Sequence, residues 1–195
     1  MDIQQLVSQQ VQSMERSQSE IYVIKRSGRK EKFSAEKVLK SIVKACHELC
    51  NDSEAQKIVE ELEKEINNYE SVTSYEIAER IERIFMELGI KEPKWFEVAK
   101  RYELGRIYKD VYGKNWDGSF NAKDLKLTFQ AVKILSTRYL LRDAESGRFL
   151  ETPQHMFRRV AKAIAEMEFQ YCRARYEPYE KCIEFARMWL SLIHI

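Results

Sequence analysis

The spacing of apolar residues predicts a mainly α-helical chain with a short β-hairpin near its start. From residue 38 onward, apolar residues recur mostly every three or four positions, the period of helices that bury one face. Residues 22–33, YVIKRSGRKEKF, break this pattern because a short apolar run turns at Ser27-Gly28 and returns through a charged run. Glycine tolerates the positive φ of a tight turn, so this stretch predicts a hairpin, which leads into a helix capped by Ser34.

Capping signals divide the next part of the chain into helices. Asn51-Asp52-Ser53 stops the first helix and caps the second. One face of the second helix is rich in Glu and Lys, and the other carries Ile58, Val59, Leu62 and Ile66. Thr73 and Glu76 have the spacing of a capping box for a third helix, and Gly89 is predicted to close it. These signals predict three amphipathic helices after the hairpin.

A fourth helix completes the first predicted unit. Pro93 occupies a first-turn position, and the apolar period continues from there to about Tyr112. We therefore expect a compact unit of a hairpin and four helices over residues 21–112. Residues 1–20 are rich in Gln and Ser and predict a flexible leader.

The second half begins after a turn-rich segment, residues 113–122, which we interpret as a linker. A helix is predicted from Leu125 to Leu141, followed by a turn at Gly147. Its expected core residues are Leu127, Val132, Ile134, Leu135 and Tyr139. This segment predicts an all-α structure.

Two more helices are predicted in this half. Thr152 caps the first of them, with Pro153 at its first position. Its expected buried stripe is Met156, Phe157, Val160, Ala161, Ile164 and Met167. The last helix begins at Pro178 and carries the apolar residues Ile183, Phe185, Met188 and Trp189. Since no third element follows to complete a domain, we expect residues 123–189 to be an incomplete all-α segment.

Composition narrows the classes of partner. A net charge of +2 is too small to favour nucleic acid or a membrane through bulk electrostatics, and the second half offers no exposed basic stripe. No apolar run reaches transmembrane length, so a cytoplasmic location is expected. The four cysteines lack zinc-ribbon spacing, which favours free thiols in a reducing compartment over a metal site.

Local charge gives the hairpin a candidate function. Lys25, Arg26, Arg29 and Lys37 surround a predicted helix start, whose backbone N–H groups and dipole attract anions. This pattern favours a phosphate site. The alternative is a solvated basic hairpin on a helical domain, and the residues alone leave both interpretations open.

The pattern of residues 21–112 resembles the ATP-cone domain, a regulatory nucleotide-binding module of many ribonucleotide reductases. The matching residues are Val23-x-Lys25-Arg26-x-Gly28, Glu31, Phe33, Lys37, Thr73-Ser74 and Lys109 before Tyr112-Gly113. Residues 123–189 resemble the helical N-terminal part of the reductase large subunit. There the matching residues are Leu135-x-x-Arg138-Tyr139-Leu140 and Gly147-x-x-x-Glu151-Thr152-Pro153-x-x-Met156-Phe157-x-Arg159-Val160-Ala161. The two resemblances in this order cover nearly the whole chain.

The resemblance implies an allosteric site for ATP and dATP, closed by the hairpin as a lid. Val23 and Lys25 would contribute at the base, Arg26 at the phosphates, and Glu31 with Ser34 near the ribose or adenine. Lys37 and Lys109 would face the triphosphate, and Ser74 would offer a hydroxyl or N–H group. This chain has Ser27 where the family often has Asp, and Ser34 where it often has Asp or Asn.

The resemblance also implies the parent reaction, the radical conversion of a ribonucleotide to a deoxyribonucleotide. No catalytic residue is assigned in this chain, and its last six residues, LSLIHI, are expected to be non-native. The intact enzyme would use either adenosylcobalamin, which we favour, or a metal-bearing partner subunit, and would form a homo-oligomer. It would act on a di- or triphosphate.

The alternative is a stand-alone nucleotide-sensing regulator, such as a cone-bearing repressor. Such a repressor would carry a four-cysteine zinc ribbon before the cone. Residues 1–20 contain no cysteine.

Overall fold

A computed structural model describes residues 20–175, 178, 180–182 and 184. The predicted leader before Glu20 and the tail 190–195 lie outside these residues, as does most of the helix predicted from Pro178. The described residues divide into two compact units, a first unit up to Ala99 and a second unit from Lys100 onward. The division falls upstream of the predicted linker at residues 113–122.

The first unit contains a three-stranded sheet of β1 (Tyr22–Ile24), β2 (Lys30–Lys32) and β3 (Ser71–Thr73), in the order β2-β1-β3. Strands β1 and β2 form the predicted antiparallel hairpin, and Gly28 in its turn has φ 76°. Strand β3 was not predicted. It pairs in parallel with β1, and a parallel pair joins segments that are distant in sequence and leave no local turn signal.

Three helices of the first unit begin where the capping residues predict. They are α1 (Ala35–Cys46), α2 (Asp52–Ile66) and α3 (Ser74–Lys91), and they are followed by α4 (Lys94–Tyr112), which extends into the second unit. Ser34, Asn51 and Thr73 each accept a hydrogen bond from the backbone N–H three residues later. Because capping is satisfied within one turn, the sequence was sufficient to place these starts.

The prediction that Gly89 closes α3 is wrong. The helix continues to Lys91, and the N–H of Glu92 donates to the carbonyl of Leu88 at 2.9 Å. Gly89 is buried, and a Cβ at this position would come within 2.7 Å of the Phe96 ring. The glycine therefore permits close packing of two helices rather than a helix end.

The core of the first unit consists of apolar side chains from the central strand and all its helices. Those most fully buried are Ile42, Ile58, Val59, Leu62, Ile66, Ile81, Phe85 and Val98. Phe85 stacks on Trp95 with ring centroids 6.0 Å apart. The apolar face predicted for α2 is confirmed, since Ile58, Val59, Leu62 and Ile66 are all buried.

The helix predicted from Leu125 to Leu141 is shorter and irregular in the structure. Residues Asp124–Lys126 form a 3₁₀ turn, Thr128 caps α5 (Phe129–Ile134), and Leu135–Tyr139 form a π-helical turn. Val132 is buried as predicted. Ile134 and Tyr139 are exposed by 52% and 57%, so their assignment to the core is wrong. The π turn changes the helical register from Leu135 onward, which accounts for the exposure of Tyr139 but not for that of Ile134.

Helix α6 (Pro153–Ala174) begins as predicted, with Thr152 as N-cap and Pro153 in the first turn. Its predicted buried stripe is only partly confirmed. Met156 is buried, whereas Val160, Ile164 and Met167 are exposed by 41%, 37% and 65%. The buried side of α6 beyond its first turns includes the smaller residues Ala165 and Cys172.

The core of the second unit surrounds a buried polar pair. The Tyr108 hydroxyl donates to Asp124 at 2.6 Å and accepts from the Asn121 N–H at 3.0 Å. Burial raises the pKa of the Asp124 carboxyl above its ordinary value, although the bond from Tyr108 opposes this shift. Apolar residues around this pair are Leu104, Ile107, Val132, Leu140, Phe149 and Met156.

The residues of the second resemblance include a structural ion pair. Arg159 on α6 donates to both oxygens of Glu151, at 2.8 and 3.0 Å, and Glu151 also accepts from the Leu141 N–H at 3.0 Å. Burial works to raise the pKa of Glu151, but the bonds from Arg159 and Leu141 leave it below its ordinary value. Glu151 therefore fixes the segment after the π turn to α6.

The expectation of free thiols is wrong for the four cysteines. Cys46 is joined to Cys50, and Cys172 to Cys182, with Cα atoms 5.2 and 5.4 Å apart. Cys46 is the last residue of α1, and His47 after it has φ 49°, so Cys50 lies beyond the helix end. The prediction of free thiols was based on a reducing compartment, and the sequence alone did not give the distances between the cysteines.

Candidate nucleotide-binding site

Two basic residues, Lys25 and Arg26, directly follow the end of β1 and begin the hairpin turn. The Lys25 N–H donates to the Arg29 carbonyl at 2.9 Å, and the Gly28 N–H donates to the Lys25 carbonyl at 2.9 Å. Arg26 lies in the turn between them and is exposed. The turn therefore closes tightly and leaves its cationic side chains at the surface.

Glu31 lies at the centre of the cations near the hairpin. Its carboxylate is 3.5 Å from Lys25 Nζ, 3.5 Å from Lys37 Nζ and 2.5 Å from Arg29 Nη2. Partial burial works to raise the pKa of Glu31, but the three cations together hold it below its ordinary value. Three elements, the end of β1, the turn and α1, thus place positive charge around one carboxylate.

The start of α1 adds backbone donors beside this cluster. Ser34 caps the helix by accepting from the Lys37 N–H at 3.3 Å, and the Lys37 side chain extends back to Glu31. Neither side chain is fully buried. Since the first N–H groups of a helix carry partial positive charge, the cluster and the helix start favour the same kind of ligand, an anion.

Strand β3 determines where Ser74 lies. Its parallel pairing places Thr73 opposite Ile24 at the end of β1, so Ser74, the next residue, begins α3 beside the start of the hairpin turn. Ser34 follows the end of β2, which pairs with the beginning of β1. The two serines therefore lie at opposite ends of the short central strand.

The structure groups only some of the residues predicted for the site. Lys25, Glu31 and Lys37 are joined by ion pairs. Val23 is 6% exposed on the central strand, directly opposite Glu31, so its side chain contributes to packing on the face of the sheet that carries Glu31. Lys109 is an exposed residue of α4 in the second unit, and its part in the site stays a prediction.

Arg29 is the residue of this cluster to which sequence reasoning assigned no individual role. It lies two positions before Glu31 in the hairpin and makes the shortest of the three ion pairs. Arg29 directly precedes β2, and residues two apart on an extended segment project from the same face, so the spacing Arg29-x-Glu31 was a usable signal. The family motif contains Lys25, Arg26 and Glu31 but not Arg29, so the resemblance implied no role for Arg29.

A cavity of about 360 Å³ lies elsewhere, in the second unit. Aromatic side chains line it, among them Tyr108, Tyr112, Trp116 and Phe120, and the N-terminal turns of α6 contribute His155 and Arg158. The residues around Glu31 do not line this cavity. The candidate nucleotide site lies at the surface, since the side chains of Arg29 and Lys37 are 73% and 72% exposed.

Comparison with known families assigns both parts of the chain. Residues 21–111 match the ATP cone domain, and residues 125–195 match the all-alpha domain of ribonucleotide reductase. The small sheet, its helices and the cationic cluster at the start of α1 all lie within the residues that match the ATP cone. The chain as a whole belongs to the ribonucleotide reductases and corresponds to their N-terminal region.

Curated relatives support this assignment. The chain is 33% identical over 168 residues to the vitamin B12-dependent ribonucleoside-diphosphate reductase of Thermoplasma acidophilum, covering 85% of this chain and 22% of that relative. It is 26% identical over 200 residues to the ribonucleoside-diphosphate reductase subunit alpha of Helicobacter pylori, covering 86% and 25%. The chain therefore spans about a quarter or less of the length of these relatives. These matches favour the reductase interpretation over a stand-alone regulator.

None of the helices in the described part of the chain is both long and apolar enough to cross a membrane.

Proposed function

We propose that this chain is the regulatory N-terminal region of a ribonucleoside reductase and that its cone binds ATP and dATP as allosteric effectors. The observation that carries this proposal is the convergence of Lys25, Arg29 and Lys37 beside the start of α1. Point charges and a guanidinium fork at a helix N-terminus suit a triphosphate. The match of residues 21–111 to the ATP cone domain supports adenine as the base.

The ligands we propose are those that the resemblance implies: Val23, Lys25, Arg26, Glu31, Ser34, Lys37, Ser74 and Lys109. The cationic members would bind the phosphates, and Ser34 and Ser74 would provide hydroxyl or N–H groups from two helix starts. Effector binding would act on the enzyme by shifting the populations of its conformations.

Calorimetry with ATP and dATP tests the site. We expect saturable binding that weakens at least tenfold in the double variant Lys25→Ala/Lys37→Ala, because two phosphate partners are removed. Lys40→Ala is the matched control, since Lys40 lies on the same helix, is exposed and pairs with Glu36. Absence of saturable binding, or equal loss in the control and the double variant, would contradict the proposal.

The activity of the whole enzyme is proposed from its relatives. The Thermoplasma relative is named as B12-dependent, which supports adenosylcobalamin in the intact enzyme, bound outside the residues of this chain. Both relatives are named as diphosphate reductases, which supports ribonucleoside diphosphates as substrates. A cytoplasmic homo-oligomer remains our expectation.

The rest of the reductase chain is the proposed partner of an exposed apolar face on α6. Val160, Ile164, Met167 and Tyr171 recur at intervals of four, three and four residues, and each is at least 37% exposed. Such a stripe is ordinarily covered by another element. The relatives are about four times longer than the matched region, so they contain the polypeptide that could cover it.

Methionine oxidation tests this surface. Met167 is 65% exposed in this chain, whereas Met156 on the same helix is 5% exposed and serves as the internal control. In a chain extended to the length of the relatives, we expect peroxide to oxidise Met167 several-fold more slowly than in the 195-residue chain. Equal oxidation rates in the two chains would refute the proposed contact.

A further inference from the structure

We propose that Glu31 acts as an internal counter-anion, which holds the phosphate-binding cations together in the ligand-free cone and competes with an incoming polyphosphate for them. This inference rests on the proposed function of the site. It gives Glu31 a role in the ligand-free cone in addition to its proposed position near the ribose or adenine, and it predicts that removal of the Glu31 charge strengthens the binding of a polyphosphate that lacks a nucleoside.

The geometry supports this role because a single carboxylate connects three separate elements. Oε2 of Glu31 faces both Lys25 Nζ, at the end of β1, and Lys37 Nζ, in the first turn of α1. Oε1 faces Arg29 in the turn. Both oxygens are therefore engaged by cations that an anionic ligand at this site would also contact.

Exposure indicates that a ligand can reach these cations. The Glu31 side chain is 24% exposed, whereas those of Lys25, Arg29 and Lys37 are 38%, 73% and 72% exposed. The carboxylate is thus partly covered while the cations extend into solvent. A polyphosphate can approach from the solvent side and replace the carboxylate as the partner of each cation.

The net positive charge of the cluster favours the binding of a polyphosphate. Three cations around one carboxylate leave a local excess of two positive charges, so the cluster still attracts a highly charged anion. In the absence of ligand, the carboxylate lowers the mutual repulsion of Lys25, Arg29 and Lys37. Exposed ion pairs of this kind are individually weak, so a triphosphate with several negative oxygens can displace them.

Inorganic tripolyphosphate separates this role from a contact with the nucleoside, because it lacks ribose and adenine. We expect Glu31→Gln to bind tripolyphosphate about threefold to tenfold more tightly than the wild-type chain, the size expected for the loss of a few exposed ion pairs. Glu36→Gln is the matched control, since Glu36 is also an exposed glutamate paired with a lysine of α1. It should change the affinity less than twofold.

The binding results separate a failure of the counter-anion role from a failure of the nucleotide site. Tripolyphosphate affinity that is unchanged or lower in Glu31→Gln, while the wild-type chain binds ATP, would overturn the counter-anion role and leave the nucleotide site intact. If neither the wild-type chain nor Glu31→Gln bound ATP or tripolyphosphate, the proposed function itself would fail and the counter-anion role with it. Equal tightening in Glu31→Gln and Glu36→Gln would reduce the effect to net charge and also overturn the inference.

A second variant guards against misfolding. Glu31→Asp keeps the charge but shortens the side chain by one methylene, so it should weaken the three ion pairs without removing them. We expect its affinity for tripolyphosphate to lie between those of the wild-type chain and Glu31→Gln. Affinity below that of the wild-type chain would count against the proposal.

Discussion

Helices α2 and α6 carry apolar residues at the same spacing but bury them to very different extents. In α2, Ile58 and Leu62 are 2% and 0% exposed, whereas in α6 Val160 and Met167 are 41% and 65% exposed. The periodicity of a sequence selects one face of a helix as apolar. Whether that face is buried depends on the neighbouring elements, which the periodicity does not specify.

The inward side of α6 explains the difference. Beyond its first turns, the buried positions of α6 include Ala165 and Cys172, which are small, while larger apolar residues lie on an adjacent face. The helix therefore has one face that packs within its own unit and another that is available to a further element. In α2, by contrast, the large apolar residues are the ones that meet the core of the first unit.

The largest expected effect comes from substituting one residue on each helix. Leu62→Ala should lower the free energy of unfolding by about 2–5 kcal/mol, because it leaves a cavity in a packed core. Met167→Ala, at an exposed position, should change it by less than about 0.5 kcal/mol. Urea unfolding of both variants measures the contrast, and similar losses would show that the α6 face is already covered in this chain.

A smaller effect is expected where helix propensity and packing oppose each other. Alanine is favoured over glycine in a helix by about 1 kcal/mol, so propensity alone predicts that Gly89→Ala stabilises α3. The structure predicts a net loss on the order of 1 kcal/mol, because the new Cβ would meet the Phe96 ring at 2.7 Å.

A double-mutant cycle provides the control for Gly89. In a Phe96→Ala background the clash is removed, and Gly89→Ala should become neutral or stabilising. If Gly89→Ala were stabilising in the wild-type background, helix propensity rather than packing against Phe96 would determine the stability effect at this position.

The smallest effect concerns Asp124 and tests whether the second unit has a rigid core of its own. Its raised pKa means that the folded state favours the protonated carboxyl, so its contribution to stability is greatest at low pH and is lost as pH rises through the folded pKa. Relative to Asp124→Asn, the wild-type chain should therefore become slightly more stable as the pH falls from 7 to 4. Urea unfolding across this range measures the difference between the two chains. If the difference in the free energy of unfolding between the two chains did not change with pH, the Asp124 carboxyl would be hydrated in the folded state.

Local features of the fold and the site could be predicted from sequence. The turn at Gly28 and the caps at Ser34, Asn51, Thr73 and Thr152 depend on interactions within a few residues, and the structure confirms them. The charge around the start of α1 was also visible, because Lys25 and Lys37 lie within one short segment. Their common partner Glu31 was assigned to the ribose or adenine instead, since spacing alone does not show which charges meet.

Features that depend on distant residues could not be predicted. Strand β3 forms because Val72 pairs with Val23, almost fifty residues earlier, and this pairing brings Ser74 to the hairpin. Gly89 lies within α3 and against the Phe96 ring, and the two cysteine pairs depend on where the chain leads after α1 and on a residue ten positions beyond Cys172.

The sequence by itself determined that this chain has a basic hairpin leading into a capped helix, and that helices follow with defined apolar faces. These properties depend on dihedral preferences and hydrogen bonds within single turns, which are encoded by neighbouring residues. Only the tertiary structure decided that three cations share the carboxylate of Glu31, and that α6 leaves large apolar residues exposed. Those outcomes depend on which elements pack together, and packing is settled by shape and burial across the whole unit.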